Sequence, residues 1–192
     1  MLHLCRNIFI MVHNSNDFIA ELVKMTSSHI AYAKDLLEIP EEDLQHKVTV
    51  NSWSALECLE HLNRYAIFYN TEIDKRLNAS SLPHAETFKS TYLGNKFAKD
   101  MLPKEGMKTM KAFKSKNPNL SSLDKEDVLL SFIKLQENLV LLLNAACSKN
   151  INKIKTNTTL PFLKFKLGDT FRFVIYHNER HIVQAKKALA AF

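Results

Sequence analysis

Four stretches of this chain repeat apolar residues at the spacing of one helical face, and that periodicity restricts the fold more than any other feature. Phe18, Ile19, Leu22, Val23, Ile30, Ala33 and Leu37 form the first stripe, with Asn16 or Asp17 able to cap its start and Pro40 marking its stop. Ala55, Leu59, Leu62, Ala66, Tyr69, Ile73 and Leu77 form the second, behind Ser52 or Ser54 as cap. A third begins near Ser122, with Glu126 and Asp127 in its first turn, and runs through Val128, Leu129, Phe132, Ile133, Leu135, Leu139 and Leu142 toward Cys147. Asp169 reads as the N-cap of the last, which continues through Phe173, Val174, Ile175, His177, His181, Val183, Ala185 and Leu189. Each stripe is wide enough to require a partner, and helices burying such stripes against one another make an all-α four-helix bundle.

The connections set the topology. Between Ala79 and Ser122 the periodicity is broken by Pro83, Gly94, Pro103, Gly106 and Pro118. A link of that length lets the second and third helices run parallel, so long crossover connections and an up-down-down-up order are expected in place of a simple meander. The same link is the most basic part of the chain: Lys96, Lys99, Lys104, Lys108, Lys111, Lys114 and Lys116 stand against Asp100 and Glu105. Such a loop is either a solvated surface or a cover for a neighbouring cleft. Lys164-Phe165-Lys166 alternates like a short strand. Residues 17–192 are expected to form one domain. The opening MLHLCRNIFIMV lacks a basic flank and a cleavage site, so residues 1–16 are expected to be a frayed extension, with Met11 as an alternative first residue.

Composition removes several function classes. Three glycines in 192 residues, with no G-x-G-x-x-G or G-x-x-x-x-G-K, exclude the usual phosphate cradles. The net charge of +6 is spread among interleaved acids, and no helix shows a basic face with aromatic interleaving, so no nucleic-acid partner is expected. Cys5, Cys58 and Cys147 form no C-x-x-C and leave one thiol over in any pairing, which suits a reducing cytoplasm. The longest apolar run, Val128 to Leu143, is interrupted by Lys134, Gln136 and Glu137, so no membrane partner is expected.

The remaining chemistry lies in the histidines. His177 and His181 are four residues apart, which stacks two imidazoles about 6 Å apart at Cβ on the inward side of the last helix. They are either core histidines bonded to neighbours or two ligands of one metal ion. Glu179 does not occupy the position of the glutamate in H-E-x-x-H, so a zincin protease is not supported. A metal needs a third ligand, and His61, at the flank of the second helix's stripe near Cys58, Tyr65 and Phe68, is the best candidate. His3, His13, His29, His46 and His84 read as surface histidines. Cys58 is either a soft ligand or a small core residue, with the core the better reading. Trp53 reads as an anchor for the helix start.

The segments Trp53-Ser54-Ala55-Leu56-Glu57-Cys58-Leu59-Glu60-His61 and His177-Asn178-Glu179-Arg180-His181-Ile182-Val183-Gln184 together resemble the DinB-like superfamily of bacterial four-helix bundles, whose members share W-S-x-x-E-x-x-x-H on the second helix and H-x-x-R-H-x-x-Q on the fourth. The resemblance implies a three-histidine site for a divalent metal, Zn or Ni, with His61, His177 and His181 as ligands. It further implies a small-molecule substrate and a metal-dependent enzyme, either a thiol S-transferase using a low-molecular-weight thiol such as bacillithiol or mycothiol, or a small-molecule hydrolase. A non-catalytic metal-binding or stress-response protein is the alternative, and a homodimer is common among such bundles. Glu57, one turn before His61, and Gln184 are then the candidate catalytic side chains, with Arg180 a weaker one.

Overall fold

The computed structural model describes residues 12–104 and 112–191. His3, Cys5, Met11, Glu105, Gly106, Lys108 and Lys111, which carry some of the expectations above, lie outside that range. The helices are α1 (Ser15–Asp35), α2 (Glu41–Gln45), α3 (Ala55–Asn78), α4 (Tyr92–Met101), α5 (Lys125–Ala146) and α6 (Leu167–Leu189), with short strands β1 (Val12–Asn14), β2 (Thr87–Lys89), β3 (Lys155–Asn157) and β4 (Lys164–Lys166). The protein is therefore mostly helical, as its periodicity predicts.

Local chemistry accounts for the helix starts. Asn14 Oδ1 accepts from the backbone N–H groups of Asn16 and Asp17, at 2.9 and 3.2 Å, so α1 begins slightly ahead of the expected caps. Ser54 and Glu57 form a reciprocal capping box at the start of α3. Asp124, not Ser122, caps α5 through the Asp127 N–H at 2.9 Å. At its other end α1 passes into a 3-10 turn, Leu36–Glu38, before Pro40.

Three expectations are corrected. Residues 12–14 are not frayed: β1 pairs antiparallel with β2, with His13 opposite Phe88, and the backbone hydrogen bonds that this pairing supplies hold the entry to α1. Asp169 is not the cap of α6, which starts two residues earlier. Wholly buried, its carboxylate accepts from the Ser90 hydroxyl and from the Thr91 N–H and hydroxyl, at 3.0 and 2.9 Å for Thr91. Thr91 in turn caps α4 by accepting from the Gly94 N–H at 2.9 Å. The expected break between Ala79 and Ser122 thus contains a helix, α4, clamped onto the first turn of α6. The Lys164–Lys166 alternation is a strand, paired antiparallel with β3.

The four long helices share two apolar clusters. One holds Phe18, Ile19 and Leu22 of α1, Tyr69, Ile73 and Leu77 of α3, Leu139, Leu142 and Leu143 of α5, and Phe171, Val174 and Ile175 of α6. The other holds Ala33 of α1, Leu56, Leu59 and Leu62 of α3, Val128, Leu129 and Phe132 of α5, and Ile182 and Ala185 of α6. Two buried amides link α3 to α5: Asn63 Nδ2 donates to the Val128 carbonyl at 3.0 Å and Asn70 Nδ2 to the Leu135 carbonyl at 2.8 Å. Donors and acceptors are equally spaced on the two helices, so α3 and α5 run in the same direction there. Among the described residues, α5 is the one helix long and apolar enough to cross a membrane; its inward face is committed to both clusters.

Gly94 sits where a β-carbon would lie 2.2 Å from Asp169 Oδ2. Helix propensity alone favours Ala at such a position by about 1 kcal/mol, but the buried carboxylate cannot withdraw without losing its three donors. Gly94→Ala is expected to lower the unfolding free energy by about 1–3 kcal/mol in denaturant titration.

Candidate metal centre

α3 and α6 pack against each other, and their inward faces bring His61 together with His177 and His181. The sequence-predicted trio is thus a spatial cluster. The three residues are 3%, 7% and 8% exposed, and one ring nitrogen from each lies within 4.8 Å of the others. His61 Nε2 and His177 Nε2 are 3.3 Å apart. Two nitrogens bonded to one ion at about 2.0–2.1 Å in tetrahedral geometry stand about 3.3 Å apart, so this pair already has the spacing of two ligands.

Hydrogen bonds on the far side of two rings orient their donor atoms. His61 Nδ1 lies 2.7 Å from the Lys116 carbonyl, which can only accept; Nδ1 therefore carries the proton and the Nε2 lone pair faces inward. His181 Nδ1 lies 3.0 Å from Gln184 Oε1, which sets the same tautomer there. His177 is held by aromatic packing, its centroid 4.8 Å from Tyr65 and stacked at 6.1 Å on Phe173.

The rings are neutral. Desolvation pushes His61 down to about 4 and His181 down to about 3, and holds His177 well below the ordinary histidine value. Lys116, Arg64 and Arg180 are cations and push the same way. Neutral imidazoles converging without a proton to share are chemically suited to a divalent cation.

The other candidate residues have more ordinary positions. Glu57 Oε2 accepts from the Ser54 N–H at 2.9 Å and Oε1 pairs with Lys47 at 2.7 Å, so its carboxylate caps α3 and both oxygens are engaged away from the rings. Gln184 orients His181. Arg180 reaches the Asp100 carbonyl at the end of α4, at 3.4 Å. Cys58 is fully buried in an apolar cluster, and burial pushes its thiol far up. His29 is corrected: it is buried between α1 and α6, with Nε2 2.9 Å from Glu179 Oε2.

Trp53 does more than start a helix, since its ring lies 4.6 Å from His61 and 5.5 Å from His181. The basic connection contributes a strap over His61: Arg64 donates to the Asn117 carbonyl at 2.8 Å and to Ser121 Oγ at 2.5 Å, and Lys116 Nζ donates to the Arg64 carbonyl. On the flank of the strap, a cleft of about 620 Å³ is lined by Glu60, Arg64, Ser121, Asp124 and Asp127; the three histidines do not line it. Tyr65, one turn after His61, was legible from helical spacing. The Lys116 carbonyl was not, because a main-chain acceptor far along the sequence leaves no side-chain signature.

A family model described as the DinB superfamily matches residues 26–185, a span that includes the three histidines, Glu57 and Gln184. Neither the curated proteins nor the solved structures gave a match.

The lowered pKa values fix the sign of a pH effect. Each ring's folded value lies below that of the unfolded chain, so below about pH 6.5 the unfolded state takes up protons that the folded state excludes. Stability of the metal-free protein is expected to be complete above that pH and to fall toward pH 4, by about 1.4 kcal/mol per pH unit for each excluded proton. A His61→Gln/His181→Gln variant should show a clearly shallower loss in thermal unfolding between pH 7.5 and 5; an equal slope would contradict the assignment.

Proposed function

Because the chain belongs to the DinB superfamily, we propose that His61, His177 and His181 hold one divalent metal ion, zinc or nickel, and that the protein is a metal-dependent enzyme acting on a small molecule. The observation that carries this reading is the convergence of three neutral ring nitrogens within 4.8 Å, two of them oriented from behind by Lys116 and Gln184. When bound, such an ion keeps its full charge among neutral ligands and makes a thiol or water at its remaining position acidic enough to act as a nucleophile near neutral pH. Transfer of a low-molecular-weight thiol to an electrophile is the preferred reaction, with hydrolysis of a small substrate as its variant.

The chain's own residues serve that chemistry by placement. Lys116 and Gln184 hold tautomers, Trp53 and Tyr65 shield the rings from water, and Lys116 and Arg180 add positive charge near the site. Glu57 has no acid-base role in this reading, since its oxygens are committed to the α3 cap and to Lys47. Gln184 acts through His181 as a positioning residue. The reading also takes the long helices as the up-down-down-up bundle of the superfamily, supported by the parallel α3–α5 bonds and by the helix ends that share each cluster. Free Cys58 and Cys147 accord with a reducing cytoplasm. A non-catalytic metal protein is the second reading, favoured by the deep burial of all three rings.

Elemental analysis of gently purified protein should find about one zinc or nickel ion per chain, and His61→Ala and His181→Ala should each lose most of it. Gln184→Ala is expected to weaken metal affinity by about 10–100-fold while leaving the helical circular dichroism unchanged. Metal-free wild type should remain folded and lose thiol-transfer or hydrolytic activity until metal is returned. Unfolding on chelation would instead establish the structural reading, and wild type without metal would end both.

A further inference from the structure

The β3–β4 hairpin ends in a feature that its own fold does not use. The Leu163 N–H donates to the Leu160 carbonyl at 3.4 Å, closing a turn with Pro161 second and Phe162 third. Phe162 has φ 62°, in the left-handed region where a bulky side chain is disfavoured and where such a turn ordinarily carries Gly or Asn. The residue is wholly exposed, so no burial within the fold offsets that cost. The turn beneath it is well tied: the Thr158 N–H donates to the Leu163 carbonyl and the Leu160 N–H to Thr158 Oγ1, both at 3.1 Å. The aromatic ring is therefore carried at a built apex, with Leu160, Pro161 and Leu163 around it.

The ribbon below this apex presents one sign of charge. Thr156 and Phe165 are buried on its inner face, and alternation puts Lys155, Asn157, Lys164 and Lys166 on the other. Lys155 stands directly opposite Lys166, a like-charge pairing that weakens a sheet. β2 extends the basic surface with Lys89, whose carbonyl accepts from Lys166 Nζ at 2.6 Å. No Asp or Glu occurs between Glu137 and Asp169, a stretch that holds Lys149, Lys153, Lys155, Lys164 and Lys166. Lys89, Lys153, Lys155 and Lys164 are exposed and in no ion pair among the described residues. The nearby acids are already engaged: Glu72 accepts from the Asn157 N–H at 2.8 Å and pairs with Arg76 at 2.8 Å, and Asp169 is buried on Ser90 and Thr91.

We propose that the β3–β4 hairpin docks on the surface of an anionic lipid bilayer, with Phe162 inserted at the acyl boundary and Lys155 and Lys164 against the headgroups. A nucleic acid or an acidic protein would account for the lysines but not for an apolar Leu-Pro-Phe-Leu apex set in solvent. A bilayer interface takes both, since apolar groups partition to its acyl boundary while its anionic headgroups attract lysine. This departs from the expectation of no membrane partner, which weighs only a spanning segment; surface docking needs none. The proposal does not depend on the metal reading.

Co-sedimentation of the full chain with phosphatidylcholine vesicles carrying about 30% phosphatidylglycerol tests it. Wild type should bind these vesicles at low salt, leave pure phosphatidylcholine in the supernatant fraction, and be released at about 0.5 M salt. Lys155→Gln/Lys164→Gln should weaken binding by roughly 20–30-fold. Phe162→Gly should weaken it by roughly tenfold or more, and Phe162→Trp should bind at least as tightly as wild type. Glycine suits the left-handed position, so Phe162→Gly should unfold at an equal or higher denaturant concentration than wild type, which separates lost docking from lost folding. Wild type that ignores the anionic vesicles would overturn the proposal. Vesicle binding undiminished in Phe162→Gly, or matched on polyuridylic acid at the same salt, would overturn it in favour of general polyanion attraction.

Discussion

Burial of three uncharged imidazoles between α3 and α6 is the constraint on which the architecture turns. Imidazole is polar, and removing it from water is costly unless its nitrogens find partners. The Lys116 carbonyl and Gln184 Oε1 satisfy the outer nitrogens of His61 and His181, leaving the inner nitrogens pointed at one another. Desolvation then keeps the rings unprotonated, and the nearby cations reinforce that state. Three neutral rings facing one another in this way could hold a divalent cation, and the chain's membership of the DinB superfamily fits that use.

The parts of the chain that look least regular hold this centre in place. α4 is fastened to α6 at both ends, through Asp169 with Ser90 and Thr91, and through Arg180 with the Asp100 carbonyl. The strap that follows is tied to α3 through Arg64 and delivers the carbonyl that fixes His61. One long connection therefore braces both helices that carry the histidines. His29 and Glu179 add a third tie, between α1 and α6, on a turn of α6 that lies between His177 and His181.

α5 satisfies competing demands. Its inward face fills both apolar clusters, and buried amides from α3 bond to its main-chain carbonyls. Its outward face leaves Leu130 and Leu141 exposed. Hydropathy alone cannot separate a core helix from a membrane span or an assembly surface, because it averages over faces that meet different surroundings.

The sequence by itself determined the four long helices, the β4 alternation and the pairing of His177 with His181, because each rests on spacing within a few turns and spacing survives in one dimension. It also marked His61, through its place at the edge of a stripe and the motif around it. Tertiary structure alone decided that Asp169 clamps α4 and does not cap α6, that His29 is buried against Glu179, that the free oxygen of Glu57 pairs with Lys47, and that a carbonyl from the basic connection orients His61. These outcomes depend on which distant segments meet when the helices close, and the partners in most of them lie tens of residues or more apart. No local pattern encodes such meetings; they follow from packing the whole chain at once.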